Sequence, residues 1–194
     1  YSAEHTVIPD RIEAGTFLIA GAITRGDVTV HNVIPEFLSS TINKLQEIGA
    51  KLDIGADYIR LQSEDLRSTD IKTLPHPGFP TDLQAPMLAL LSLAKGTSVV
   101  TETIFENRFK HVDELTRMGA RIRVEGRTAI IRGVSKLTGA IVEATDLRAG
   151  GCLVLAALSA EGTSEVEHVE YIDRGYEGFA EKLRELGAQI VRSK

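Results

Sequence analysis

At 194 residues the chain can form one large domain or two small ones and bury roughly 70% of its unfolded surface. Hydrophobic residues make up 43% and charged residues 25%, as in a globular protein. The formal charge of −5 offers no general attraction for nucleic acid or an anionic membrane, so any anionic ligand must be held by clustered arginines. One cysteine, Cys152, excludes an internal disulfide and fits a reducing compartment; five scattered histidines show no metal spacing; no signal peptide or bilayer-length apolar run is present.

In chain order, a strand over 5–8 is followed by an apolar helix over 12–24. A strand over 27–31, an amphipathic helix over 37–48 and strands over 51–54 and 58–62 complete a first unit. A second unit repeats the order: strand 71–74, helix 82–94, strand 98–102, helix 109–118 and strands 121–124 and 128–132. The third runs strand 141–144, helix 148–159, strand 164–168, helix 176–186 and strand 189–192, without a final strand. The registration is set by "NKLQEIGAKLDI", "DELTRMGARIRV" and "EKLRELGAQIVR", whose glycines Gly49, Gly119 and Gly187 lie 70 and 68 residues apart. A second set, Gly26, Gly96 and Gly162, closes the first helix of each unit at its C-cap.

The first helix of each unit is apolar nearly all round ("LQAPMLALLSLA", "GGCLVLAALSA") and is expected to be buried, while the second carries charge on one face. The expected fold class is therefore α/β, in the α+β sense: an inside-out barrel of three β-α-β-α-β-β units with helices inside and sheets outside. The chain, 1–194, is expected to be one domain with units at about 5–62, 71–132 and 141–192. Its missing last strand is expected to come from upstream of Tyr1, because an unfilled sheet edge is a liability. Cys152 falls within the third apolar helix and reads as core.

The repeats provide an internal control for the stretch "HPGFPTDLQAP". Fourteen residues before each helix-closing glycine stand Ile12, Asp82 and Arg148. One structural position thus holds an apolar residue, an acid and a base. Two readings stand for Asp82: it starts a helix, gaining from the helix dipole, or it does chemistry. Arg148 is a cation on the unfavourable side of the dipole, beside Asp146 and the small Gly150 and Gly151, which suits an anion site. Arg108 ("FENRFKH") and Arg174 ("DRGYE") also stand at helix starts. Each alone reads as a surface arginine; three arginines and one acid at equivalent loop ends can converge on one mouth.

The segments "PDRIEAGTF", "HPGFPTDLQAP", "TETIFENRFKHVDEL", "ATDLRAGG" and "YIDRGYEGFAEKL" resemble, in order from Pro9 onward, the C-terminal half of the enolpyruvyl transferase family. The likeness is to the branch that uses UDP-N-acetylglucosamine as acceptor. It implies half of an enzyme that moves enolpyruvyl from phosphoenolpyruvate to the sugar 3-hydroxyl and releases phosphate. That would be the first committed step of peptidoglycan synthesis, and through it would serve cell-wall biogenesis, cell shape and division in the bacterial cytoplasm. Asp82 would meet the attacking hydroxyl, as base or as orienting group, because an aspartate is a weak base at neutral pH. The backbone around Ile104 would contact the UDP-sugar. Arg108, Arg148 and Arg174 would face phosphoenolpyruvate, with Arg174 its direct ligand. No cofactor or metal is implied, and no nucleic-acid or membrane partner. The family's catalytic-loop domain lies outside this chain, so the partner is the missing N-terminal domain and the isolated chain is expected to be inactive. Cys152 is not the family's loop cysteine. Two alternatives stay open: a transferase like 5-enolpyruvylshikimate-3-phosphate synthase, and a non-catalytic anion-binding module.

Overall fold

The computed structural model describes residues 2–193. The first unit comprises α1 (Arg11–Ile23), β1 (Asp27–His31), a 3₁₀ turn (Pro35–Leu38), α2 (Ser39–Ile48), β2 (Lys51–Ile54) and β3 (Tyr58–Gln62). The second comprises β4 (Ile71–Lys72), a 3₁₀ turn (Thr81–Leu83), α3 (Gln84–Leu91), β5 (Thr97–Thr101), α4 (Val112–Arg117), β6 (Arg121–Glu125) and β7 (Thr128–Arg132). The third comprises β8 (Ile141–Glu143), α5 (Leu147–Ser159), β9 (Glu165–Glu167), α6 (Glu170–Asp173) and α7 (Phe179–Glu185).

Helices α1, α3 and α5 pack against one another at the centre, and each meets its own unit's strands on the outside. Every residue of α3 is buried, as are all of α1 except Arg11 and Glu13. A helix apolar on every face can be satisfied only in such a centre. The outer helices bury single stripes instead: Thr41, Ile42, Leu45 and Ile48 on α2, and Val112 and Leu115 on α4. Cys152 lies fully buried on α5, and burial pushes its thiol above its ordinary range, as for a core residue.

The sheets run β1-β3-β2, β4-β5-β7-β6 and β8-β9. All pairs are antiparallel except β4 with β5 and β8 with β9. Two expected strands do not form. Residues 2–8 are exposed and pair with no strand among the described residues, with Val7 83% and Ile8 59% exposed, so the first sheet ends at β1. Residues 189–192 likewise pair with no strand; Ile190 leans on the core, and Arg192 reaches Asp173 at 2.8 Å. Apolar alternation alone does not make a strand when no neighbouring strand accepts its hydrogen bonds.

The helix expected over 176–186 starts only at Phe179, because Gly178 adopts a left-handed φ of 57° before α7. The helix expected from 109 starts at Val112, after Asn107 takes a positive φ of 54°.

After β7 the chain crosses the end of α3. The Gly133 amide donates to the Gly96 carbonyl at 3.0 Å, and that of Val134 to Ser92 at 2.8 Å. A Cβ on Gly133 would stand 1.7 Å from the Ala94 carbonyl oxygen, so backbone would have to move. Gly133→Ala is expected to cost about 3 kcal/mol or more of unfolding free energy in urea denaturation. Gly26→Ala, where a Cβ would meet nothing nearer than 3.4 Å, serves as the tolerated control.

Candidate active site

The starts of the three central helices determine which carboxylate is free. Asp10 caps α1, its Oδ1 accepting from the amides of Ile12 at 2.7 Å and Glu13 at 3.2 Å. Asp146 caps α5 in the same way, accepting from Arg148 at 2.8 Å and Ala149 at 2.9 Å. A cap of this kind contributes about 1 kcal/mol. The equivalent position in the second unit is Pro80, which has no capping side chain, and the chain enters α3 through the 3₁₀ turn instead. The cap site thus lies two residues before the position compared in the sequence. Asp82 caps nothing.

Its carboxylate is shared by two guanidiniums. Arg108 Nη2 donates to Asp82 Oδ1 at 2.8 Å, and Arg148 Nη2 lies 3.2 Å from Asp82 Oδ2. The Asp82 side chain is 37% exposed, Arg108 24% and Arg148 17%, so the cluster is half-sunk and opens to solvent through the acid. Two units meet here: Asp82 and Arg108 come from the second, Arg148 from the third. The cation at the start of α5 is held against the dipole by two carboxylates, Asp82 at its head and the Asp146 cap at its backbone.

Arg148 has a second support. Its Cζ lies 5.7 Å from the Tyr176 ring centroid, and Nη1 donates to Tyr176 Oη at 3.4 Å. Tyr176 Oη is also 2.9 Å from Thr16 Oγ1. Thr16 spends its only hydroxyl proton on the Ile12 carbonyl at 2.8 Å, so Tyr176 must be the donor to Thr16. The chain of donors therefore runs Arg148, Tyr176, Thr16, Ile12, and ends inside α1. Burial raises the Tyr176 phenol above its ordinary value and keeps it protonated. Burial opposes the Arg148 charge, but the Tyr176 oxygen and Asp82 outweigh it and the guanidinium titrates above its ordinary value.

Arg108 is steadied from the other side. Its Cζ lies 5.2 Å from the Phe105 ring centroid. Phe105 and Ile104 sit on an exposed loop whose amides both turn inward to Glu102. Just before α4 His111 is buried, with no partner for Nε2 among the described residues. Burial and the Arg108 charge push its imidazole down to about 4, against the pull of Asp146.

Arg174 does not join the cluster. It ends α6 with an exposed side chain and makes no ion pair or hydrogen bond among the described residues, while its neighbour Asp173 engages Arg192. Glu102, Tyr176, Thr16, His111 and Asp10 take part without having been singled out in the sequence. The one sequence signal for Glu102 is its register: it continues the inward alternation of Ser98 and Val100 on β5, which puts an acid on a core face without saying what it does there. Among the described residues no group of three or more His, Cys, Asp or Glu could hold a metal ion, and no helix is long and apolar enough to cross a membrane.

Residues 1–183 match the family model for EPSP synthase (3-phosphoshikimate 1-carboxyvinyltransferase). The chain is 61% identical over 192 residues to UDP-N-acetylglucosamine 1-carboxyvinyltransferase 2 of Carboxydothermus hydrogenoformans, covering 97% of this chain and 46% of that protein. It is 58% identical over 190 residues to UDP-N-acetylglucosamine 1-carboxyvinyltransferase of Desulfofundulus thermocisternus, covering 97% of this chain and 78% of the relative. The chain thus spans about half the length of most of these curated relatives. Among solved structures, the enolpyruvyl transferase NikO from Streptomyces tendae superposes with a TM-score of 0.85 at 29% identity, over 95% of this chain and 44% of that one. EPSP synthase from Acinetobacter baumannii, at 21% identity and a TM-score of 0.75, shares the fold over 97% of this chain and 48% of its own. A helix-centred fold of three repeated units, a carboxylate freed at one helix start, and matches over nearly the whole chain agree: the chain belongs to the enolpyruvyl transferase family, among relatives named UDP-N-acetylglucosamine 1-carboxyvinyltransferase.

Proposed function

We propose that this chain is the acceptor-side domain of a two-domain enzyme that transfers enolpyruvyl from phosphoenolpyruvate to the 3-hydroxyl of UDP-N-acetylglucosamine. The work would be done in the bacterial cytoplasm, at the first committed step of peptidoglycan synthesis. The observation that carries this reading is the Asp82 carboxylate, left uncapped at the start of α3 and shared by guanidiniums from two units. The names of relatives at 58–61% identity support the acceptor, and the 46% span of most of them supports a second domain.

Asp82 orients the sugar hydroxyl, and takes up its proton late, as the new C–O bond forms at C2 of phosphoenolpyruvate and the C2=C3 π pair takes a proton at C3. Elimination then removes a proton from C3 and re-forms C2=C3 as the C–O bond to phosphate breaks and phosphate leaves with its P–O bonds intact. Both substrates are anionic, and arginine answers this better than lysine because its planar fork binds an oxyanion through two hydrogen bonds. Arg108 spends one N–H on Asp82, and Arg148 one on Asp82 and one on Tyr176. Each guanidinium has five, so both keep donors for a phosphate or carboxylate. The exposed Arg174 is available as a third cation once a second domain closes over the site. Closure also excludes water and completes the catalytic set.

Phosphate release by the two-domain protein tests the reading. Release is expected with UDP-N-acetylglucosamine and not with shikimate 3-phosphate, and none from the present chain alone. Release with shikimate 3-phosphate instead would assign the other branch of the family. No release with either acceptor would leave an anion-binding module.

A further inference from the structure

Glu102 is 1% exposed, and no lysine, arginine or histidine forms an ion pair with it among the described residues. A carboxylate out of water with no cation is costly unless its lone pairs are filled. Here they are. Oε1 accepts from Thr73 Oγ1 at 2.9 Å and from the amides of Ile104 at 2.7 Å and Phe105 at 3.1 Å; Oε2 accepts from Thr81 Oγ1 at 2.8 Å. The four donors belong to separate stretches: the strand end after β4, the 3₁₀ turn that carries Asp82, and the exposed loop that carries Ile104 and stacks under Arg108.

The two amide bonds orient the loop. A trans peptide points its N–H and C=O in opposite directions. With the Phe105 N–H directed inward at Glu102, the Ile104 carbonyl of the same peptide is turned outward, and it accepts no hydrogen bond among the described residues. The loop therefore presents an acceptor, whereas its amide donors are spent. Through Thr81, the same carboxylate sets the turn on which Asp82 sits.

We propose that Glu102 is a positioning residue for the acceptor sugar, holding the Ile104 carbonyl and the Asp82 turn at a fixed separation so that one carboxylate aligns both sides of the sugar's hydrogen-bonding edge. The inference rests on the acceptor reading above. It predicts a split between substrates that a purely structural carboxylate would not produce.

The test is steady-state kinetics of the two-domain enzyme carrying Glu102→Ala, Glu102→Gln or Thr81→Val, with melting temperatures measured alongside. Glu102→Ala is expected to raise KM for UDP-N-acetylglucosamine at least tenfold and leave KM for phosphoenolpyruvate within twofold. Glu102→Gln keeps an oxygen for the two amides and offers an N–H to Thr81 Oγ1, so it should recover most of that loss. Thr81→Val cuts only the link to the Asp82 turn and leaves Glu102 Oε2 unpaired, so some loss of melting temperature is expected, and kcat/KM for the sugar should fall threefold or more while KM for phosphoenolpyruvate stays within twofold. If Glu102→Ala does not fold, the other two variants decide. Equal effects on both substrates, or a glutamine variant no better than alanine, or a Thr81→Val enzyme indistinguishable from the unsubstituted one, would overturn the proposal. An unsubstituted enzyme that does not use UDP-N-acetylglucosamine would instead overturn the acceptor reading beneath it.

Discussion

Asp82→Asn in the two-domain enzyme is expected to lower kcat by about a hundredfold or more while leaving the fold intact. Asparagine fills the same volume and can still accept from Arg108, so the geometry of the cluster survives. What disappears is the anion: the formal charge of Asp82, Arg108 and Arg148 together rises from +1 to +2. The stability cost should be modest, about 1 kcal/mol, because the lost partner is 37% exposed and its ion pairs are screened by water. The extra positive charge should tighten phosphoenolpyruvate binding or leave it unchanged. The expected signature is therefore a fall in kcat without a rise in KM for phosphoenolpyruvate. A variant that kept turnover within threefold would show that Asp82 serves only to neutralise two arginines, and neither the orienting nor the proton-accepting role would stand.

The second large effect is on stability and lies away from the reacting groups. His111 is ordinarily half-protonated near pH 6.5, but burial, with Arg108 adding to it against Asp146, holds it neutral in the fold down to about 4. Between these values the unfolded chain binds a proton that the folded chain refuses. Stability from this group is full above pH 6.5 and falls as the pH drops towards 4. The difference corresponds to about 3 kcal/mol at the acid end. The carboxylates with lowered values, Asp27, Glu47, Asp65 and Asp173, begin to lose their contributions as the pH falls into the ordinary carboxylate range and go on losing them below it. The interval from pH 6.5 to about 4.5 thus reports on His111. Urea unfolding of His111→Leu across that interval should give a nearly flat profile, whereas the unsubstituted chain slopes. Parallel slopes would mean that the buried imidazole takes up its proton without cost.

The fold was largely legible because its strongest signals are long and repeated. The apolar helices around 12–24, 82–94 and 148–159 lie at the centre as α1, α3 and α5, and their glycine-marked ends locate the sheets. The errors fall where a partner, rather than a pattern, decides. Residues 5–8 and 189–192 alternate suitably, yet no strand lies beside them. At the site, comparison of Ile12, Asp82 and Arg148 asked the right question two residues too late. Asp10, Pro80 and Asp146 occupy the cap itself, and the proline in the middle unit is what frees Asp82. Arg108 and Arg148, at the starts of a second and a first helix, meet on Asp82 as helix-start residues sharing one mouth, whereas Arg174, the counterpart of Arg108 in the third unit, stands apart because α6 carries it to an exposed turn. Glu102 and Tyr176 escaped notice because a lone acid and a lone tyrosine acquire meaning only from the four donors and the stacked guanidinium that surround them.

The most direct measurement is an NMR titration of this chain with UDP-N-acetylglucosamine, with shikimate 3-phosphate as control and Asp82→Asn alongside. The account predicts shifts confined to the turn around Asp82 and the loop around Ile104, selective for the UDP-sugar and weakened by the substitution. Equal shifts with shikimate 3-phosphate, or none at millimolar UDP-sugar, would contradict the assignment of the acceptor site to this chain.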